Sequence, residues 1–485
     1  MSLVDDARQL LDRANTVFDG GPPADEIRRL TERLDEPLRV AIAGKVKAGK
    51  STLLNALVGE LLAPTDTGEC TKVVTWYRDG HTYQVMLHPA DGSPPVQARF
   101  SRDDGAIDID LGGRDATGVD RLDVTWPSGG LRTLTLIDTP GVDSLTQGVS
   151  TRAFEFLDPD DSETPADAVL YLMKHIHASD LRLLEAFHDD SVASPNPVNA
   201  IAVLSRADEI GAGRPDSMES AARIAARLGD DTRLRRLVQM IVPVAGLLAE
   251  SAETLTEAEY RELSQLADKL DDLDRLLLST DRFIEGRPET PLTSIERERL
   301  LGRFGLFGIR AALELISSGR ATSSTSLSDA LLAMSGLDRL RAVLSSLFVD
   351  RADVLKARSS LLAIERLCHE HSGRPGVTEL EGELERIMSS AHQFNEMNTM
   401  AALRSGWVTG PAAQLADLER LLGVSGTAPW QRLGLDGPSA DVATAAGEQL
   451  GRWQRLAENP LTTHDLATAI RVAIRSLEGI IAGTG

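Results

Sequence analysis

The run Gly44-Lys45-Val46-Lys47-Ala48-Gly49-Lys50-Ser51 has the spacing G-x-x-x-x-G-K-S, two glycines followed by a lysine and a hydroxyl. It stands between the apolar run Leu38–Ala43 and the helix-forming run Thr52–Val58, so a buried strand, a glycine-rich loop and a helix N-terminus follow in order. In that order successive backbone N–H groups turn inward onto phosphate oxygens and the helix end adds positive potential. Lys50 would neutralise the β and γ phosphates, and Ser51 would offer its hydroxyl to Mg²⁺. Residues 44–52, from Gly44 to Thr52, therefore predict a nucleoside triphosphate site.

Two further elements follow in the order such a site needs. Leu134-Thr135-Leu136-Ile137-Asp138-Thr139-Pro140-Gly141 reads as a buried strand ending in an acid and a sharp turn. Asp138 would hold Mg²⁺ through water, and the Gly141 N–H would meet the γ-phosphate. Ala200–Leu204 is a second buried strand, followed by Ser205-Arg206-Ala207-Asp208. GTPases carry Asn or Thr, Lys, any residue and Asp at this place. Here Asp208 keeps the acid that accepts from the guanine N1–H and exocyclic amine, while Ser205 and Arg206 depart from the pattern. Arg206 can lay its stem and planar head over the purine. Ile241–Gly246 is a further strand, whose end at Val244, Ala245 and Gly246 would lie beside the base. A threonine that coordinates Mg²⁺ and orients the attacking water is sought in 64–75; Thr71, directly before a β-branched strand, is preferred, with Thr65 and Thr67 as alternatives.

Composition narrows the classes. The 485 residues are 42% hydrophobic and only 4% aromatic, enough apolar material for more than one core. No run approaches the roughly 18–20 apolar residues of a membrane span, and Met1–Asp6 lacks a secretion signal's basic start and apolar middle. The expectation is a cytoplasmic protein. Cys70 and Cys368 are too few and too far apart for a disulfide framework or a metal site. A net charge of −22 disfavours nucleic acid as a partner and confines any contact with anionic lipid to a local patch.

The positioning elements divide the chain at 37 and 338. Residues 1–37 carry helical stripes (Val4, Ala7, Leu10, Leu11, Ala14, Val17, then Ile27, Leu30, Leu34) broken at Gly20-Gly21-Pro22-Pro23. Residues 38–338 alternate strands and helices, the pattern of an α/β domain with a doubly wound mixed sheet, with an antiparallel section from Trp76 to Trp126 and helices after 250. The stretch 317–328 reads as a loop, and Arg303-Phe304-Gly305-Leu306-Phe307-Gly308 as packing on the sheet's flank. In 339–485 strand signals vanish. Leu340, Leu347, Val354, Leu361 and Cys368 recur by sevens along one long helix, and Leu380, Leu384, Ile387, Ala391 and Phe394 along a second. Further helices are expected near 411–423, 439–458 and 462–482, forming an elongated all-α bundle that the N-terminal helices complete.

This arrangement resembles the dynamin superfamily, and the run Val46–Leu57 with Thr71–Thr75 resembles bacterial dynamin-like proteins. The resemblance implies a GTPase using GTP/GDP and Mg²⁺, paired with a second copy through its GTPase heads, and a helical neck and trunk that remodels or severs membranes. It further implies a chain peripherally attached to the inner face of the cell membrane, contacting anionic lipids through the trunk tip, and a related dynamin-like partner. Eukaryotic dynamins have Gln-Ser where this chain has Val46-Lys47; Lys47 is expected to supply part of the charge of the monovalent cation those residues help to place. With no lipid-binding domain visible, the membrane contact is sought in bundle turns, at Arg374 or at Trp430, Arg432, Leu433 and Leu435. The competing reading is a regulatory switch GTPase whose bundle binds a protein effector.

Overall fold

The structure, a computed structural model, describes residues 3–63, 73–103, 106–140, 166–174, 199–269, 273–285, 291–438 and 441–483. The N-terminal stripes form α1 (Leu3–Val17) and α2 (Pro22–Arg33), the second opened by Pro22 and Pro23, whose fixed φ suits a first helical turn. Next come β1 (Leu38–Gly44), α3 (Lys50–Val58), β2 (Val74–Asp79), β3 (Gln84–Pro89), β4 (Val96–Gln97), β5 (Arg99–Asp103), β6 (Ala106–Asp110), β7 (Val119–Trp126), β8 (Leu134–Asp138), β9 (Ala168–Met173) and β10 (Ala200–Leu204). Then α4 (Ser217–Gly229), α5 (Thr232–Leu237), β11 (Ile241–Pro243), α6 (Gly246–Glu253), α7 (Glu257–Lys269), α8 (Leu273–Leu276), α9 (Thr280–Glu285), α10 (Ser294–Ser317) and α11 (Ser324–Ser335) complete the α/β part.

The sheet among the described residues has nine strands in the order β11-β10-β9-β1-β8-β2-β7-β3-β4. β1 lies between β8 and β9, parallel to both, and β9, β10 and β11 continue in parallel. These strands are buried on both faces, which is why they read as continuous apolar runs. The predicted antiparallel section is only partly so: β2 is antiparallel to β8, and β3 to β7, but β2 and β7 run parallel. The expected loop at 317–328 is shorter than predicted, because Ser323 caps α11 through reciprocal bonds with Ser326 and starts that helix at Ser324.

The helical third comprises α12 (Leu337–Leu347), α13 (Ala352–Glu370), α14 (Val377–Ser390), α15 (His392–Ser405), α16 (Ala412–Leu421), α17 (Pro429–Leu433), α18 (Val442–Ala457) and α19 (His464–Gly483). Neither of the two long helices expected here is continuous. The first breaks at Phe348 (φ −110°, ψ −57°) into a 3₁₀ turn, Val349–Arg351, although Leu340, Leu347, Leu361 and Cys368 are all buried as their spacing predicts. The second breaks at Ala391, whose ψ of 115° ends α14 and places Phe394 on α15.

Two cores organise these helices. One continuous core joins a face of the sheet (Val40, Ile42, Leu136) through α3 to α12, α13, α14, α1 and α2, so the N-terminal helices do find their apolar partners in α13 and α14. Arg33 of α2 and Asp167 before β9 form a buried ion pair at 2.6 Å, and Asp167 also accepts from the Arg39 N–H. A separate core around Trp453 and Ile470 holds α15 to α19 together.

That C-terminal bundle does not extend away from the α/β part. Arg404 at the end of α15 is buried and donates to the carbonyls of Arg235 and Val238 at the end of α5. Glu419 of α16 accepts from Arg235 at 2.5 Å and lies 3.5 Å from Arg404. On its other side, Arg351 donates to the carbonyls of Leu422 and Gly423, and Thr427 donates to Asp350. Burial drives both guanidinium pKa values down to about 10.

Candidate functional site

β1 ends in the phosphate loop. Gly44 takes φ +148°, and a Cβ there would stand 2.5 Å from the Leu172 carbonyl of β9, so the close approach of the two strands admits only glycine. Lys47 adopts the left-handed conformation (φ 60°) and is exposed beside Val46 at the loop's rim. Gly49 is the N-cap of α3 and leaves that helix end to the loop. The Lys50 ammonium folds back over the loop and donates to the Gly44 and Lys45 carbonyls, both at 3.3 Å. Burial lowers its pKa, and the charge of Asp138 opposes that shift.

Asp138 closes β8 against this loop. Its Oδ2 accepts from Ser51 Oγ at 3.3 Å, while its Oδ1 is buried with no partner among the described residues. Burial pushes the carboxyl up to about 6, against the opposing influence of Lys50 and Ser51. Thr139 anchors the following turn to β1, its hydroxyl donating to Ile42 O at 2.9 Å. A hydroxyl beside an unsatisfied carboxylate oxygen fits a hard divalent cation, which takes oxygen donors and keeps several waters.

The base side is built by β10 and β11 together. The Val244 N–H donates to Leu204 O and the Ala207 N–H to Val244 O, which locks the Ser205–Asp208 turn to the end of β11. A cavity of about 140 Å³ opens between this turn and the phosphate loop, lined among others by Gly49, Thr52, Arg206, Asp208, Val244 and Gly246. The structure thus brings Ala48, Gly49, Thr52, Ser205, Arg206, Asp208, Val244 and Gly246 to one pocket. Ala245 is buried behind it, its N–H donating to Ser335 O.

Asp208 is 7% exposed, and no described side chain or backbone N–H outside its own residue bonds its carboxylate. Burial raises its pKa. Arg206 stands in the left-handed region (φ 52°) and pairs with Glu209 at 2.7 Å, which in turn holds Lys174 at 2.5 Å. Sequence reasoning missed three parts of this wall: Glu209, Leu247 of α6, and Gly305 of α10. The last left a signal, a glycine inside an apolar helical run, which was read as flank packing alone.

Thr65, Thr67, Thr71 and Gly141 lie outside the described residues. The expected membrane residues are placed, and two face inward. Leu433 belongs to the C-terminal core, and Arg432 pairs with Glu396 and donates to Leu421 O at 2.5 Å. Trp430 and Leu435 are half-buried in the same packed segment, beside residues that bond Asp350 and Arg351 rather than at a distal tip. Arg374 lies over the Phe18 ring at 5.5 Å and donates to Asp19 O in the turn joining α13 to α14. Among the described residues, the large apolar side chains that the bundle exposes are Trp407 (67%) and Leu461 (90%). Among the described residues no helix is long and apolar enough to cross a membrane.

Known proteins match this arrangement. A family model described as 50S ribosome-binding GTPase matches residues 39–201. The isoniazid-induced protein IniC of Mycobacterium tuberculosis is 37% identical over 99% of both chains. A bacterial dynamin-like protein of Nostoc punctiforme is 47% identical over 62 residues, 13% of this chain and 9% of its own. A solved chain from an oligomerised bacterial dynamin pair, described in connection with long-range sensing and tethering of membranes, is 13% identical, covering 99% of this chain and 90% of that one at a TM-score of 0.34. With a phosphate loop, an acid at the end of β8 and a base pocket in one α/β domain, and IniC alike along its whole length, the chain belongs to the family of IniC, the bacterial dynamin-like GTPases, and hydrolyses GTP.

Proposed function

We propose that this GTPase selects guanine through Asp208, binds Mg²⁺ through Ser51 and, across water, Asp138, and converts GTP hydrolysis into membrane remodelling by paired copies. The observation that carries the guanine reading is the buried Asp208 carboxylate, which lines the pocket and, among the described residues, is bonded only by its own backbone N–H. A buried carboxylate with spare acceptor capacity is costly, and the two donors of a guanine edge remove that cost. Mg²⁺ would supply charge neutralisation on the β and γ phosphates. Lys50 would hold those phosphates, its ammonium already placed over the loop. Thr71 would order the attacking water, and the exposed Lys47 would place positive charge near the leaving group, with a partner head completing what Val46 lacks.

The remodelling reading is supported by family membership and by the single apolar core that runs from the phosphate-loop helix α3 into α12, α13 and α14. A shift at the nucleotide therefore meets no soft layer before it reaches the neck. For the lipid contact, Trp407 and Leu461 replace Trp430 and Leu433. Their loops meet at one end of the C-terminal bundle, where Gly410 packs on Leu466, and both side chains are presented to solvent. A tryptophan with an aliphatic neighbour suits the bilayer interface. The Arg374 turn is the second contact to test.

The experiment is GTP turnover with and without anionic liposomes, across a range of protein concentration, followed by electron microscopy of the liposomes. Turnover per molecule that rises with concentration, and liposomes that deform only with GTP, support the reading. Guanine-selective hydrolysis with no liposome binding would turn the function toward a switch GTPase acting on a protein effector.

A further inference from the structure

α10 is helical from Ser294 to Ser317 except at Gly305, where φ is 63° and ψ 172°. That backbone region is open essentially to glycine alone. Glycine is also among the poorest helix formers. The break therefore accords with local preference, and the surroundings fix where each half of the helix lies.

Both halves of α10 are tied down separately. Before the break, the Arg303 carbonyl accepts from Ser251 Oγ of α6, and Phe304 is buried. After it, Phe307 is buried and Arg310 donates to the carbonyls of Gly213, just beyond the Asp208 turn, and Leu277. Between these anchors, a Cβ on Gly305 would stand 3.7 Å from Asp208 Oδ2 and 3.6 Å from Leu247 Cδ2. Both Asp208 and Leu247 line the base cavity.

We infer that the Gly305 break in α10 is a specificity-determining element of the base site: its backbone walls off the Asp208 carboxylate from water, so that only a base edge with two donors satisfies the acid. The inference rests on the reading of Asp208 as the guanine acceptor. A carboxylate kept dry discriminates strongly, since a base lacking one donor leaves a buried lone pair unpaired. If water enters beside Asp208, it supplies the missing donor and the discrimination flattens. An L-residue at 305 cannot hold φ +63°, ψ 172° without strain, so the wall shifts.

The test measures dissociation constants of fluorescent GDP, IDP (which lacks the 2-amino group) and ADP on the full chain, in wild type, Gly305→Ala and Leu247→Ala. We expect Gly305→Ala to weaken GDP about tenfold, 1.4 kcal/mol, and IDP much less, so that the IDP-to-GDP ratio of dissociation constants falls at least fivefold. KM for GTP should rise more than kcat falls. Leu247→Ala, which leaves the α10 backbone intact, should lower the same ratio about threefold. A folded Gly305→Ala with the wild-type ratio overturns the inference. If Gly305→Ala does not fold, Leu247→Ala decides, and an unchanged ratio there overturns it equally. A wild type that binds ADP as tightly as GDP removes the guanine reading itself, whereas a guanine-selective wild type with indifferent variants removes only the role of the break.

Discussion

Ser51 Oγ and Asp138 Oδ2 are 3.3 Å apart, so the hydroxyl that begins α3 and the acid that ends β8 form one oxygen pair across the parallel register of β1 and β8. Because burial pushes Asp138 up to about 6, this pair is proton-sensitive in the range where the enzyme is handled. Below that value the carboxyl takes up a proton and, in its proposed role toward Mg²⁺, would no longer serve as an anion. Mg²⁺-dependent nucleotide binding should therefore weaken as pH falls from 7.5 to 5.5, and Asp138→Asn should abolish that dependence along with most of the Mg²⁺ requirement. Titrating Mg²⁺ against fluorescent GTP at both pH values checks it; equal Mg²⁺ affinities for wild type at the two pH values would contradict it.

Asp208→Asn should move base preference from guanine to xanthine, because the amide donates where the carboxylate could only accept. Competition binding with GDP and XDP reads this directly. Loss of both nucleotides together would mean that the substitution damaged the pocket rather than its code.

A second buried acid concerns stability. Glu250 of α6 accepts from Asn55 Nδ2 at 3.3 Å, and Asn55 Oδ1 in turn accepts from the Leu62 and Ala63 N–H groups. Burial raises Glu250 to about 7, opposed by the Asn55 bond and the Arg303 charge. Its folded-state value lies above its unfolded one, so the folded form favours the proton. The contribution of this group to stability is full at acid pH and is lost as pH rises through about 7, an effect on the order of 3 kcal/mol. Tm should fall between pH 5.5 and 8, and Glu250→Gln should flatten that fall. A variant whose Tm falls as steeply as wild type would refute this assignment.

Replacing Asn55 by Leu removes four bonds from a buried hub, the three above and the one its Nδ2 donates to Ala63 O, and leaves the Leu62 and Ala63 N–H groups without that acceptor. The expected loss is about 2–4 kcal/mol, measurable by urea unfolding.

At the interface between α5 and α16, Glu419→Gln should cost about 2–4 kcal/mol, since Arg404 is buried beside it, and Arg235→Gln should cost less. The double variant should be less damaging than the sum by about 1 kcal/mol. Strict additivity in unfolding experiments would show that the Arg235 and Glu419 side chains do not interact.

The nucleotide pocket was legible in the sequence because its chemistry is local: Gly44 to Ser51, Asp138 and Asp208 each sit at the end of an apolar run, and a parallel sheet brings such ends to one edge. What escaped was long-range. Gly305 is about a hundred residues from Asp208, and a glycine inside an apolar helical run marks a break without naming what the break touches. The heptad spacing of Leu340 to Cys368 correctly gave the buried face but not the break at Phe348, since burial depends on periodicity and the break on a backbone turn that periodicity does not record. Trp430 and Leu433 looked like an anchor because composition cannot distinguish a loop on the outside of a bundle from one folded into it.

That break has a mechanical side. The bundle α15–α19 is fastened to α5 on one side, through Arg404 and Glu419, and to the turn that follows Phe348 on the other, through Arg351 and Thr427. A body fixed on two sides acts as a splint. A swing at 348–351 would tear a buried guanidinium from its carbonyls, so these bonds hold the break at the angle it has.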